Sequence, residues 1–107
     1  MKTHKINING AEYTLVMDFN AMIIIEEETG INPLNVDFEN LSPKWIAAML
    51  YGALQTYQSN ISLKDVKNMI TFENLYEVVG GVSEAFRKAM PEDKGEQSEK
   101  KIETPES

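Results

Sequence analysis

The first part of the chain alternates apolar and polar side chains on either side of an Asn-Gly pair. Asn9-Gly10 is a strong signal for a two-residue β-hairpin, because a type I′ turn needs a positive φ at both central positions. With that turn, three cross-strand pairs share one largely apolar face: Ile8 with Ala11, Ile6 with Tyr13 and His4 with Leu15. The other face carries two polar pairs, Asn7 with Glu12 and Lys5 with Thr14. We therefore predict a hairpin over residues 1–17 whose apolar face packs on the rest of the molecule.

A first helix is predicted directly after the hairpin. Asp18 stands where its carboxylate can cap the first free N–H groups of a helix. The helix should run from about Phe19 to Thr29, and Gly30 suits the left-handed residue that ends many helices. Residues 21–25 are apolar almost all round the helix, which is typical of a buried helix. We expect this first helix to be central.

Residues 31–41 read as a loop, and a second helix follows them. Ser42-Pro43 combines a capping residue with a proline in the first helical position, which is a good helix start. The apolar side chains beyond it recur at helical spacing. This predicted stripe consists of Trp45, Ile46, Met49, Leu50, Ala53, Leu54 and Tyr57.

Two further helices are predicted before residue 90. Ser62 and Asp65 resemble a capping box. They open a short third helix whose inward side chains are expected to be Leu63, Val66, Met69 and Ile70. Thr71 is the predicted cap of a fourth helix, in which Gly80-Gly81 favours close helix contact or a local kink. The predicted buried stripe of this helix is Leu75, Val79, Val82 and Phe86, joined by Phe72 and Tyr76.

The composition changes at Pro91. Residues 91–107 contain six acidic and three basic side chains, a net charge of −3, with Ile102 as the only large apolar residue. Such a segment buries too little surface to offset its ordering entropy, so it is predicted to be disordered. The predicted fold is mainly α: an N-terminal β-hairpin packed on a bundle of about four helices over residues 1–90, followed by a disordered acidic C-terminal tail over residues 91–107.

Charge and cysteine content narrow the classes of function. The 107 residues carry a net charge of −7, and an acidic chain is repelled by nucleic acid phosphates. The chain has no cysteine, which excludes disulfides, thiolate nucleophiles and cysteine zinc sites. No signal peptide and no apolar run of about 20 residues is visible. We therefore expect a cytoplasmic protein that binds neither nucleic acid nor a membrane.

Enzymatic chemistry has little to build on in this sequence. His4 is the only histidine, so a nucleophilic triad or a histidine metal site lacks its partners. No phosphate-binding glycine motif occurs. Asp37 and Glu39 lack the glycine and the distal glutamate of a calcium loop. We expect no enzyme, no cofactor and no metal, although a carboxyl group with a raised pKa in the core remains a third alternative.

Four side chains are candidates for contact with a partner protein. Glu26, Glu27 and Glu28 occupy the last turn of the first helix, where the helix dipole disfavours acids. They are either a solvated helix end or a contact for a basic patch of a partner, with paired catalytic carboxylates as a third alternative. Tyr51 falls off the apolar stripe of the second helix and is of a type that anchors interfaces. Trp45 lies on the stripe and is assigned to the core.

Three segments resemble a known family. Residues 13–30 resemble the opening of the tail assembly chaperones of long-tailed bacteriophages and gene-transfer-agent-like elements, which have a short β segment, a Phe-Asn-Ala helix start and a Thr-Gly stop, here Phe19-Asn20-Ala21 and Thr29-Gly30. Residues 45–54 resemble the second helix of that family, and residues 61–66 the start of its third. The likeness covers about residues 5–90. The run of three isoleucines at 23–25 departs from the alanine and leucine that relatives often carry.

The resemblance implies a protein-binding role in phage tail assembly. Such chaperones bind the long helical tape measure protein before the tail tube polymerises around it, and the tail tube protein is a second candidate partner. They act in the cytoplasm of the bacterial host, and self-association is left open. The alternative of a different class is a small acidic regulator, either an antitoxin or an inhibitor that mimics nucleic acid charge.

The family often makes a longer second product through a programmed ribosomal frameshift near the stop codon. Residues 99–101 are Glu-Lys-Lys. If their codons are GAA AAA AAG, they contain a heptamer on which both tRNAs can re-pair after a slip of one base. A slippery site at this position is therefore predicted, with an ordinary lysine pair as the alternative.

Overall fold

The structure, a computed structural model, describes residues 2–30, 32–35 and 37–90. Within that part the elements follow one another as β1 (His4–Ile8), β2 (Ala11–Leu15), α1 (Phe19–Thr29), a short 3₁₀ turn (Pro33–Asn35), α2 (Pro43–Leu54), α3 (Leu63–Met69) and α4 (Leu75–Ala89). The predicted class, an N-terminal hairpin with about four helices, is confirmed. The predicted tail over residues 91–107 and the predicted slippery site lie outside the described residues.

The hairpin has the register that the turn predicts. Strands β1 and β2 pair antiparallel with Ile6 opposite Tyr13 and Ile8 opposite Ala11. Asn9 and Gly10 both have positive φ, 55° and 87°, as a type I′ turn requires. Ile6, Ile8 and, on β2, Leu15 are buried. The apolar face of the hairpin therefore belongs to the core, as predicted.

Hydrogen bonds from residues far away in the sequence hold the hairpin against the helical part of the molecule. The amide of Gln58 donates to the Thr14 carbonyl at 3.0 Å and accepts from the Thr14 N–H at 2.8 Å, which imitates a neighbouring strand. The Val16 N–H donates to the Ala53 carbonyl at 3.0 Å. At the turn, Asn74 donates to the side chain of Asn9 at 3.2 Å. The bonds to Thr14 and Val16 satisfy backbone groups that would otherwise be left free at the edge of a two-stranded sheet.

Local capping signals set the starts of the first three helices. The Asp18 carboxylate accepts from the Ala21 N–H at 2.8 Å, and the Ser42 hydroxyl accepts from the Trp45 N–H at 3.2 Å. Ser62 begins α3 with the predicted capping box. Gly30 ends α1 with φ 73°. Each of these predictions is confirmed.

The central helix is α2 and not α1, which corrects the prediction from the isoleucine run. Helix α2 contacts α1, α3, α4 and β2, and most of its residues are buried: Ile46, Ala47, Ala48, Met49, Leu50, Gly52, Ala53 and Leu54. Helix α1 packs on α2 with one face, and Phe19 and Ile23 on its other side are 75% and 41% exposed. An apolar run alone does not show how many neighbours will cover a helix.

Helices α1 and α2 approach each other closely at Gly52. A Cβ on Gly52 would lie 2.8 Å from Ile25 Cγ1 and 2.9 Å from the Ala21 carbonyl oxygen. The glycine therefore lets the backbone of α2 pack against the backbone of α1. This contact aligns the end of α2 with the middle of α1, and it leaves the C-terminal end of α1 beside the start of α2.

The start of α4 differs from the prediction. The helix begins at Leu75, with Asn74 in the capping position. Asn74 makes no side-chain cap hydrogen bond. Thr71 and Asn74 instead make the reciprocal bonds of a capping box: the Thr71 hydroxyl accepts from the Asn74 N–H at 3.3 Å, and the Asn74 side chain accepts from the Thr71 N–H at 2.8 Å. These reciprocal bonds close a turn, so Phe72 precedes the helix and lies outside its buried face.

The buried face of α4 is also displaced by about one residue from the predicted stripe. The buried residues are Val78, Gly81, Val82 and Ala85. Leu75, Val79 and Phe86 are only half-buried, and Tyr76 is 90% exposed. Strand β1 causes the rotation, because a Cβ on Gly81 would lie 2.5 Å from Ile6 Cδ1. The predicted close approach at the glycine pair thus occurs at Gly81, and its neighbour is a strand.

Candidate protein-binding groove

A groove of about 620 Å³ lies between the first half of α2, the end of α1, α3 and the segment that leads into α4. Its larger apolar lining residues are Leu41, Ile46, Leu63, Ile70, Phe72 and Leu75. The small side chains of Ala47 and Ala48 also line it. Because these alanines fill little space on α2, the neighbouring elements leave a depression there that no described residue occupies.

Hydrogen bonds fix the segment that bounds the groove between α3 and α4. Helix α3 ends at Ile70, which has extended backbone angles. The Asn74 side chain donates to the Met69 carbonyl at 2.8 Å, in addition to its bonds with Thr71. The Asn9 side chain donates to the same Met69 carbonyl at 3.1 Å. The groove is therefore built on capped helices and a hydrogen-bonded turn.

Phe72 lies at the edge of this groove and is almost fully exposed to solvent. It lines the groove, yet it is 95% exposed, and Tyr76 in the first turn of α4 is 90% exposed. Burial of a large apolar side chain such as phenylalanine in an interface or a core is favourable by about 1.5–3 kcal/mol of free energy. An exposed aromatic beside an apolar depression is typical of a binding surface.

The charge at the groove differs in sign from the charge of the whole domain. Residues 2–90 carry eleven acidic and seven basic side chains, a difference of −4. The charged residues that line the groove are Lys44, Lys67 and Glu28, so the local balance is two positive charges against one negative. All three are exposed. The groove is thus a mildly positive spot on an acidic surface.

The structure does not bring the four predicted contact residues together. Glu26, Glu27 and Glu28 are all exposed, but only Glu28 lines the groove. Tyr51 is half-buried and packs against the core, and it does not line the groove. Trp45 is also half-buried and packs against the core.

Sequence reasoning missed Phe72, Lys44 and Lys67. A helix counted from Thr71 places Phe72 on the buried stripe, whereas in the structure Phe72 lies in the turn between Thr71 and Leu75. No local signal separates that turn from the first turn of a helix, because a capping pair such as Thr71 and Asn74 can open either one. The lysines carry no local signal, because their role depends on two helices that meet only in the fold.

The lowered pKa values in the described part belong to structural contacts. The backbone N–H of Ser62 donates to the Asp65 carboxylate at 3.0 Å, and this bond, helped by the Ser62 side chain, lowers the pKa of Asp65. The hydrogen bond from Arg87 lowers the pKa of Glu84. His4 is half-buried, and the Lys88 ammonium lies 3.4 Å from its Nδ1 while donating to the Thr3 carbonyl at 3.1 Å. Within residues 2–30, 32–35 and 37–90, no cluster of carboxylate and histidine groups is arranged to hold a metal ion.

The described residues form a small, mainly helical domain with an open, largely apolar groove. Comparison of the chain with protein-family models, with curated proteins and with solved structures finds no match. No helix among the described residues is long and apolar enough to cross a membrane.

Proposed function

We propose that this protein is a tail assembly chaperone that holds helical segments of a phage tape measure protein in the groove beside Phe72. The observation that carries the proposal is the apolar groove with an exposed aromatic side chain at its edge. The resemblance of residues 5–90 to tail assembly chaperones supplies the partner. The site of action that goes with this function is the cytoplasm of the bacterial host.

A helix in a groove is the binding mode that fits these surfaces. An amphipathic helix presents apolar side chains at positions i, i+3, i+4 and i+7, and a groove between helices accepts that stripe. The tape measure protein of the resembled family is a long helix with such stripes. Burial of Phe72 against a partner helix would contribute about 1.5–3 kcal/mol. Leu63 and Leu75, which line the groove, add further apolar area.

The chaperone role follows from covering an apolar stripe. A long helix with an exposed stripe aggregates through that stripe, because burying apolar surface is favourable. A soluble acidic domain bound along it would keep the helix apart from other copies until the tube forms. The tail tube protein is the second proposed partner, and it would displace the domain as the tube polymerises.

The groove favours this function over that of an acidic inhibitor. A charge mimic needs its carboxylates in an ordered, unengaged row. Several acids of the described part instead hold local structure: Asp18 and Asp65 cap helices, and Asp37 accepts from the Glu39 N–H at 3.0 Å. The remaining acids do not account for an apolar groove.

Co-purification with fragments of the tape measure protein from the same phage or prophage tests the proposal. We expect at least one fragment to become soluble and to co-purify with the wild-type domain. Phe72→Ala should weaken that complex at least tenfold, as loss of an anchor residue does. It should leave the thermal midpoint unchanged, because Phe72 is 95% exposed.

The matched control is Phe19→Ala, which removes an exposed phenylalanine that does not line the groove. This variant should bind the fragment as the wild type does. Failure of every fragment across the whole tape measure protein would refute the proposed function. Equal binding by both phenylalanine variants would refute the groove as its site.

A further inference from the structure

We infer that the groove selects helices that carry acidic side chains beside their apolar stripe, and that Lys44 and Lys67 are the residues that make this selection. The inference rests on the proposed function, since it describes the partner of the same groove. It gives the partner helix a charge pattern that can be read in a sequence.

The two lysines are available for a partner. Lys44 is in the first turn of α2 and Lys67 is in α3, and both line the groove. Among the described residues neither ammonium group has an ion-pair or hydrogen-bond partner. Long lysine stems cover apolar surface while the charged end stays at the rim. A helix seated in the groove would therefore meet two ammonium groups at the edges of its apolar stripe.

Because of Glu28, Lys44 and Lys67 should contribute unequally to the binding of an acidic helix. Glu28 lines the groove from the last turn of α1, and Lys44 lines it from the first turn of α2. A partner carboxylate bound on the α1 and α2 side of the groove meets the negative charge of Glu28 as well as the positive charge of Lys44. Lys67 on α3 has its nearest acid in sequence, Asp65, engaged with Ser62. We therefore expect Lys67 to contribute more to selection than Lys44.

The charge of the whole domain predicts the opposite preference. A domain with a difference of −4 over residues 2–90 attracts basic peptides and repels acidic ones at long range. A preference for an acidic helix can therefore arise only from the local charges of the groove. Because the two charges predict opposite preferences, comparing an acidic with a basic peptide shows which of them determines binding.

Two designed helical peptides of about 20 residues, roughly 30 Å long as helices, provide the test. They share one leucine and alanine stripe, and all flanking positions are glutamate in one peptide and lysine in the other. Fluorescence anisotropy with labelled peptides gives the dissociation constants for the full-length protein. We expect the wild type to bind the glutamate peptide about threefold to tenfold more tightly, as two exposed charge pairs allow. The preference should shrink as salt is raised.

Substitutions of the two lysines test whether they cause the preference for the glutamate peptide. Both double variants, Lys44→Glu with Lys67→Glu and Lys44→Gln with Lys67→Gln, should reverse the preference, the glutamate variant more strongly, because Glu28 and the acidic charge of the domain then act unopposed. Lys67→Glu alone should weaken binding of the glutamate peptide more than Lys44→Glu alone does. Lys5→Glu is the matched control, because Lys5 is exposed on the polar face of β1 and does not line the groove. Circular dichroism checks that each variant is folded.

The outcomes separate the inference from the proposed function. Equal or tighter binding of the lysine peptide by the wild type overturns the inference. So does an unchanged preference in the double lysine variants. If tape measure fragments still co-purify in either case, the proposed function stands without this selection. If neither designed peptide binds, the groove is not a helix site and the inference fails with it.

Discussion

Two adjacent glycines of α4 differ in what an added methyl group would meet. A Cβ on Gly80 would have no atom within 4 Å, whereas a Cβ on Gly81 would lie 2.5 Å from Ile6 Cδ1 and 3.5 Å from Leu15 Cδ1. Alanine is favoured over glycine in a helix by about 1 kcal/mol. At Gly80 nothing opposes that gain. At Gly81 the hairpin occupies the space, so packing and helix propensity act in opposite directions.

Gly80→Ala should therefore raise the free energy of unfolding by about 0.5–1 kcal/mol. Gly81→Ala should lower it or leave it unchanged, because overpacking costs about 1–3 kcal/mol. Ile6→Val removes Cδ1, the nearest atom, so the double variant Ile6→Val with Gly81→Ala should lose less stability than the two single changes added together. Urea unfolding measures all four. Equal effects of the two glycine variants, or strict additivity of the pair, would contradict this packing.

The capping box of α3 makes stability depend on pH. Hydrogen bonds from Ser62 lower the pKa of Asp65 in the folded protein. A lowered folded pKa means that the stabilisation is complete above the unfolded pKa of about 3.9, and that it is lost as the pH falls through the folded value. Asp65→Asn should therefore destabilise the protein at pH 7 and make little difference well below the folded pKa.

Urea unfolding of the wild type and of Asp65→Asn at a series of pH values between neutral and acid measures this difference. Glu12→Gln is a suitable control, since Glu12 is exposed on the polar face of the hairpin. The free energy of unfolding of Glu12→Gln should not approach that of the wild type in this way as the pH is lowered. If the free energies of unfolding of Asp65→Asn and of the wild type differ by the same amount at every pH, the ionised Asp65 does not stabilise α3 as proposed.

At the scale of elements, the parts predicted well are those that short-range chemistry decides. The turn at Asn9-Gly10 sets the hairpin register, and Asp18 and Ser62 begin their helices through bonds to residues three positions away. The face that α4 buries depends instead on Ile6, a residue 75 positions before Gly81. The position of α2 at the centre likewise depends on contacts with four other elements. Local patterns do not contain such information.

The docking of the hairpin is the element-level contact most open to test. Ile6 is only 6% exposed and lies against Gly81 of α4. Ile6→Asp would place an unpaired charge among apolar groups, and should cost more than about 3 kcal/mol. Lys5→Asp, one residue earlier on the exposed face, should cost less than about 1 kcal/mol. Thermal unfolding compares them, and a midpoint unaffected by Ile6→Asp would mean that the hairpin is not packed on the helices.

At the scale of the whole molecule, the groove is a product of the fold and not of any one segment. Its lining comes from α1, α2, α3 and the turn before α4, so no sequence window contains it. The sequence did supply the acidic charge, the lack of histidine and cysteine partners for chemistry, and one residue of the groove, Glu28. Phe72 and the two lysines became visible only when the turn at Asn74 and the packing of α3 on α2 were known.

Chemical-shift mapping with a co-purifying tape measure fragment tests the central claim most directly. The ¹⁵N-labelled protein is titrated with the unlabelled fragment, and amide shifts are followed residue by residue. We expect the largest changes at Ala47, Leu63, Lys67 and Leu75, which line the groove, and little change around Phe19 on the outer side of α1. Shifts concentrated around Phe19 or on the polar face of the hairpin, with the groove amides unmoved, would contradict the claim that the groove holds the partner helix.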